Sequence, residues 1–208
     1  MKATPLWVIV VAVLAASCGG SGGGAIVDTD LAVELNEALA VSHLRSLVGA
    51  QAHAQSLGIV DADEDGVGEF LFLGELAGTE KLRAGGAGRK VPLMPPQVCR
   101  VSSTGFLEMH GYLFRVHLPA ESGITVGEGP GEGGVVNPDA AEEEWFAYAW
   151  PLQHGRTGIR TFVVTADGEI AARDVPVNSG ANAPKPYSAF EATANGQVAL
   201  AGDWAKVD

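Results

Sequence analysis

The apolar positions of the chain form three successive patterns. An unbroken apolar stretch runs from Leu6 to Ala16, with Lys2 ahead of it and Ser17 and Cys18 behind. A helical pattern follows. From Leu31 to Leu57 there is no proline and one glycine, Gly49, and Gly58 stands where a helix ends in a left-handed residue. At about 100° per residue, Val33, Ala40, Leu44, Leu47 and Val48 fall on one stripe, and Leu31, Leu35 and Leu39 fall on another face. The first half of this helix is therefore apolar on two sides, more than one sheet can cover. Asp28, Thr29 and Asp30 offer caps, and Glu34 suits the positive end of the helix dipole. The predicted length is about 40 Å at about 1.5 Å per residue.

The third pattern is alternation. Tyr112 to Leu118 stops at Pro119, Glu144 to Trp150 stops at Pro151, and Gly158 to Thr165 turns through Asp167-Gly168 into Ile170 to Arg173. Phe70 to Arg83, interrupted by Gly74 and Gly78, predicts a short second helix, with a loop from Gly85 to Pro96. A Gly- and Glu-rich loop spans Ala120 to Ala141, and the Pro-, Asn- and Gly-rich tail from Asp174 predicts irregular chain. The class is α+β, a long N-terminal helix packed on a small antiparallel meander. The domain spans 28–173, and 174–208 forms an irregular extension.

The leader has the order of a secretory signal and is too short for a bilayer, which needs roughly 20 apolar residues. Ala16-Ser17-Cys18 resembles the end of a bacterial lipobox, although Ala15 stands where Leu is usual. On that reading residues 1–17 are removed and Cys18 is the lipidation site. The alternative is ordinary cleavage near Ser17. Residues 18–27 then hold the Cys and a glycine-rich tether, Gly19 to Gly24, with neither the preceding strand nor the following Lys of a phosphate loop. Cys99 is the other cysteine, an unpaired thiol if Cys18 is acylated and its disulfide partner if it is not.

Charge removes one class of function. Lys and Arg number 13 against 25 Asp and Glu, a net charge of −12, with no basic run to meet phosphates. Much of the acid lies in Asp61 to Glu69 and Glu121 to Glu144.

The most specific chemical signal is Asp61-x-Asp63-x-Asp65-Gly66. Carboxylates on alternate residues followed by a turning glycine can converge on Ca²⁺, with the Val67 carbonyl and Glu69 as further ligands. The twelfth position, Phe72, is not the glutamate such a loop requires, and Glu75 is the nearest substitute. The competing reading is a solvated acidic turn. His43 and His53, ten apart, are expected on different helix faces, and His110 and His117 on opposite strand faces. No histidine pair has zinc spacing. Ser102, Ser103 and Ser188 lack a nucleophile-elbow context, so no catalytic residue is assigned. Glu142 to Glu144 reads as the solvated start of a strand. Tyr112, Trp145, Phe146 and Trp150 read as the packed face of the sheet.

The stretch Asn36-Glu37-Ala38-Leu39-Ala40 through Leu44-Arg45 to Ala50-Gln51-Ala52 resembles the "NExxAxxxLRxxxxAQ" segment of type IV pilin-like and type II secretion pseudopilin-like proteins. Asp61 to Leu76, Gly111-Tyr112-Leu113-Phe114, Ala149-Trp150-Pro151 and Gly155 to Phe162 continue the likeness in order. The resemblance implies a helix on an antiparallel sheet and a structural subunit without catalysis. It departs at the start, where a lipobox-like signal stands in place of a prepilin peptidase site.

The expected protein is thus an exported bacterial lipoprotein, periplasmic or at the cell surface, anchored to the outer membrane through Cys18. It is expected to serve as a non-enzymatic structural or assembly component of the envelope or of a secretion or pilus-like system. A protein partner is expected along the N-terminal helix. A calcium-dependent binding or adhesion module is the alternative.

Overall fold

The computed structural model describes residues 29–83, 92–129, 134–192 and 198–208. The leader, Cys18 and the glycine tether lie outside them, as does most of the expected 85–96 loop.

Helix α1, Thr29–Ser56, buries Val33, Ala40, Leu44 and Leu47 and half-buries Val48, the stripe that the 100° spacing selects. Fully burying a leucine such as Leu44 or Leu47 is worth about 1.5–3 kcal/mol. Leu31 and Leu35 of the second stripe stay 64% and 58% exposed. Gly58 ends the helix with a φ of 56°, its N–H bonded to the Gln55 carbonyl.

The second helix shrinks to α2, Leu73–Leu76. Three backbone groups before it are taken by distant partners. Phe70 N–H donates to the Ala141 carbonyl, and both backbone groups of Leu71 are held by the Gln51 side chain. Gly78, at φ 64°, turns the chain away on the other side.

The sheet is antiparallel throughout. Strands β1 (Leu107–Met109), β2 (Tyr112–Pro119), β4 (Phe146–Pro151), β5 (Arg160–Thr165), β6 (Ile170–Asp174) and β9 (Ala205–Lys206) lie in that order, and β3 (Thr125–Gly127) pairs with β2 beyond the end of β1. The β1–β2 turn is made by His110 and Gly111, both at positive φ, as a two-residue hairpin requires. Two expectations are corrected here. Glu142 and Glu143 belong to a short helix, α3 (Pro138–Glu143), started by Asn137, whose side chain accepts the Ala140 N–H. The tail is not merely irregular: Phe190–Ala192 (β7) and Val198–Leu200 (β8) pair with each other, and β9 joins the main sheet beside β6.

Period-two alternation gives the sheet two buried faces. Phe114, Val116, Leu118, Ala149, Phe162 and Val164 meet α1. Leu113, Tyr148, Trp150, Val163 and Ala171 meet the tail, with Ala189 and Trp204. The aromatic residues expected on one packed face are divided, Tyr112 and Trp145 with the helix side, Phe146 and Trp150 with the tail side. Two polar tips tie the tail down. Trp150 Nε1 donates to the Gly180 carbonyl at 2.9 Å, and Tyr148 Oη accepts the Ala189 N–H at 3.0 Å.

Candidate functional site

The residues that carry the motif likeness are joints between α1 and the rest of the domain. Asn36 Nδ2 donates to the Thr157 carbonyl at 2.9 Å. Glu37, 6% exposed, accepts the N–H groups of Ile159 and Arg160 at 2.9 and 3.0 Å, and its other oxygen takes Arg160 Nε at 2.7 Å. Burial alone would raise the Glu37 carboxyl, but the two N–H bonds and the guanidinium outweigh it and hold it below its ordinary value. Gly158 lies flat on Tyr112, where a Cβ would come 2.1 Å from the hydroxyl oxygen, so only glycine fits. Gln51 grips Leu71 on both sides, Nε2 to its carbonyl at 2.7 Å and Oε1 from its N–H at 2.9 Å.

In the acidic loop an oxygen from each of Asp61, Asp63 and Asp65 lies within 4.8 Å of the others. Asp61 also accepts the N–H groups of Asp65 and Gly66, both at 3.1 Å, and Gly66 turns at φ 94°. Val67 is exposed, and its N–H donates to Asp65 Oδ1. Glu69 is brought elsewhere. It is 1% exposed, accepts the Ala62 N–H at 2.7 Å and pairs with Arg83 at 2.8 Å, and Arg83 also bonds Glu75 at 2.5 Å. Glu69 and Glu75 are therefore committed to a buried ion pair rather than to the triad.

A carboxylate of α3, Glu142, feels the charge of this loop. Desolvation raises the Glu142 carboxyl, and the charges of Asp65, Asp63 and Asp139 raise it further. Its Oε1 is buried with no hydrogen-bond partner. Asp63 is raised in the same way, by desolvation and the Asp65 charge, and Asp139 raises it further. The donor set is hard oxygen only, which suits Ca²⁺. Three converging carboxylates offer three of the six to eight oxygens such an ion takes, and the charges of Asp63, Asp65, Asp139 and Glu142 act on one another. The Asn137-Pro138 sequence, an N-cap followed by proline at the first helical position, is the signal that places Asp139 and Glu142 on a helix.

The histidines depart from expectation in one respect. His43 and His53 line the same groove, together with His110, because ten residues advance a helix by only about 80° less than a whole number of turns. His43 is buried against Phe114, its ring centroids 4.8 Å apart, and desolvation with the nearby His110 lowers it to about 4. His117 stacks on Phe146 on the tail side and is lowered by burial and Arg115 to about 3. Cys99 is fully buried with Sγ 3.4 Å from Met94 Sδ, and burial pushes its thiol up to about 12, so it is a poor nucleophile. Ser188 Oγ donates to Tyr148 Oη, and Ser102 pairs with Thr104.

On the tail side, the ends of β4, β5 and β7 enclose a cleft of about 770 Å³ with Trp145, Phe146, Tyr187 and Phe190 in its walls and carboxylates around it. Tyr187, Phe190 and Glu191 come from the tail, where no periodicity pointed to them. Among the described residues, no helix is long and apolar enough to cross a membrane.

No curated protein and no solved structure matches the chain. A family described as "Protein of unknown function (DUF2950)" matches residues 36–195, and its span takes in α1 from Asn36, the acidic loop, the sheet through β6 and the β7 strand. With well over half of its length matched, the chain belongs to the DUF2950 family.

Proposed function

We propose that the protein is a lipid-anchored, extracytoplasmic structural or assembly component that works by holding a partner chain along α1, in the manner of a pilin-like subunit. The observation that carries this reading is the exposure of Leu31 and Leu35, one helical turn apart at the end of α1 nearest Cys18. Half-buried Leu39 continues the stripe into the groove between α1 and the 93–98 segment. A protein partner suits this surface better than a lipid one. Asp30 and Glu34 alternate with the leucines, and carboxylates there oppose contact with anionic headgroups. The helix-on-sheet layout and the joint-forming Asn36, Glu37 and Gln51 fit a subunit built to hold its shape. The apolar leader and the lipobox-like Cys18 support export and an outer-membrane anchor.

Two measurements test this. The Cys18→Ala chain is expected in the soluble fraction where the parent chain needs detergent; retention of Cys18→Ala on the membrane at an unchanged level would remove the anchor. In mild detergent the anchored parent is expected to sediment as a complex larger than one processed chain, and Leu31→Asp/Leu35→Asp to sediment as the single chain. A parent already sedimenting as the single chain sinks the partner.

The second reading, a calcium-dependent binding module, is favoured by one observation, the unpartnered Glu142 Oε1 beside the aspartate triad. Calorimetry with Ca²⁺ on the parent and on Asp63→Ala/Asp65→Ala decides it, since no heat with either form ends the reading.

A further inference from the structure

The cleft on the tail side has a composition that selects its ligand. Five carboxylate side chains line it, Glu143, Glu144, Asp167, Glu169 and Glu191, and among the described residues no lysine or arginine does. Its interior is aromatic. Phe146 lines it, with His117 stacked on that ring at 5.0 Å and Phe190 against it at 4.9 Å. Tyr187 closes one side, 5.6 Å from Phe146, and remains 40% exposed. The volume lies within the range of small-ligand sites, which are apolar with a few polar groups at fixed positions.

Two further facts indicate that the arrangement is built. Tyr187 stands at φ 56°, the left-handed region that glycine occupies without penalty and a tyrosine does not. A non-glycine residue held there is a feature that clusters at binding sites. Here it places a phenol ring at the mouth of an acidic cleft. Beyond the lining residues, Lys206 Nζ lies 2.9 Å from Glu169 Oε1, so an ammonium group already pairs with one of these carboxylates.

We propose that this cleft binds an organic cation, an ammonium or guanidinium group on an apolar stem, with the stem against Phe190 and Phe146, the charge over the Tyr187 ring and the carboxylates of Glu144 and Glu191 around it. Aromatic faces attract such cations, and desolvation in a cleft strengthens that attraction. Carboxylates add the charge complement, and a bare metal ion would leave the aromatic wall without a role. The group could arrive on a free polyamine or on a Lys or Arg side chain of a peptide.

Titration of the purified soluble chain (Cys18→Ala) with spermidine, and separately with a Lys-Arg tetrapeptide blocked at both ends, tests the proposal by calorimetry and by fluorescence of Trp145. Saturable binding of either probe supports it, and the tighter one identifies the source. Tyr187→Gly removes the ring at a backbone position that glycine adopts freely, and a thermal melt of the variant checks that the tail stays packed. It is expected to weaken binding about tenfold, as is Glu144→Gln/Glu191→Gln. Absence of saturable binding with both probes overturns the proposal. So does binding that both variants leave unchanged, or binding of glucose as tight as that of the cations.

Discussion

The two faces of one sheet are covered in opposite ways. The helix side is closed by a regular element, with Leu44 and Leu47 over Phe114 and Phe162, and its polar seams are sealed by Glu37 and Gln51. The tail side is covered by chain with little regular structure, held at a few anchors. Trp204 is buried in it, and Trp150 and Tyr148 bond the tail backbone. A helix covers a face continuously because its stripe repeats every turn, whereas an irregular cover leaves gaps between anchors. The cleft is such a gap. The cleft lies on the partly covered face, while Asn36, Glu37 and Gln51 are consumed in closing the other.

The comparison breaks first if the tail is not a true cover. Trp204→Ala is expected to lower the unfolding free energy by about 3 kcal/mol, the cost of emptying a buried aromatic site. Urea midpoints measure it, and a loss below about 0.5 kcal/mol would make the tail a bystander, since surface changes fall in that range. On the helix side Glu37→Ala is expected to cost about 2–3 kcal/mol. It leaves two N–H groups unbonded, while the half-exposed Arg160 regains water and limits the loss. Trp204→Ala and Glu37→Ala lie on opposite faces without shared partners, so their effects should add.

Acid sharpens the comparison, because each face holds one buried neutral histidine. His43 titrates at about 4 and His117 at about 3 in the fold, against about 6.5 unfolded. Both values are depressed, so the unfolded chain binds more protons below pH 6.5. Stability is full above about 6.5 and falls as pH drops toward those lower values. Between pH 6.5 and 5 each histidine is expected to contribute about 1–2 kcal/mol of that loss. His43→Leu and His117→Leu should each flatten about half of the slope in a pH series of thermal melts. A slope that neither changes would place the acid sensitivity outside both faces.

What was legible follows the same division. The stripe of α1, the stop at Gly58 and the β4, β5 and β6 strands repeat at the periods that packing imposes, so their residues could be read directly. The second helix over-extended because Phe70 and Leu71 lose their backbone partners to Ala141 and Gln51, contacts with no local trace. The packing of the tail leaves no pattern in the sequence, because Trp204 and Tyr187 act singly and without a period. In the acidic loop, alternation correctly brought Asp61, Asp63 and Asp65 together. Spacing alone placed Glu69 among them, whereas Arg83, 14 residues on, draws it into the core.

That last difference separates two carboxylates by a small effect. If Ca²⁺ binds the triad with Glu142 as a further ligand, free ion at about ten times its dissociation constant raises stability by about 1.4 kcal/mol, a rise of about 3–6 °C in Tm. Glu142→Gln should reduce that rise and leave the Tm in chelator almost unchanged. A slight gain there is consistent with relief of repulsion from Asp63 and Asp65. Glu69→Gln should do the reverse, lowering the Tm with and without the ion because Arg83 loses a buried partner, while the calcium increment persists. Thermal melts of the three chains in Ca²⁺ and in chelator measure both quantities at once. A calcium increment that survives Glu142→Gln intact would show that α3 contributes charge near the loop and no ligand to it.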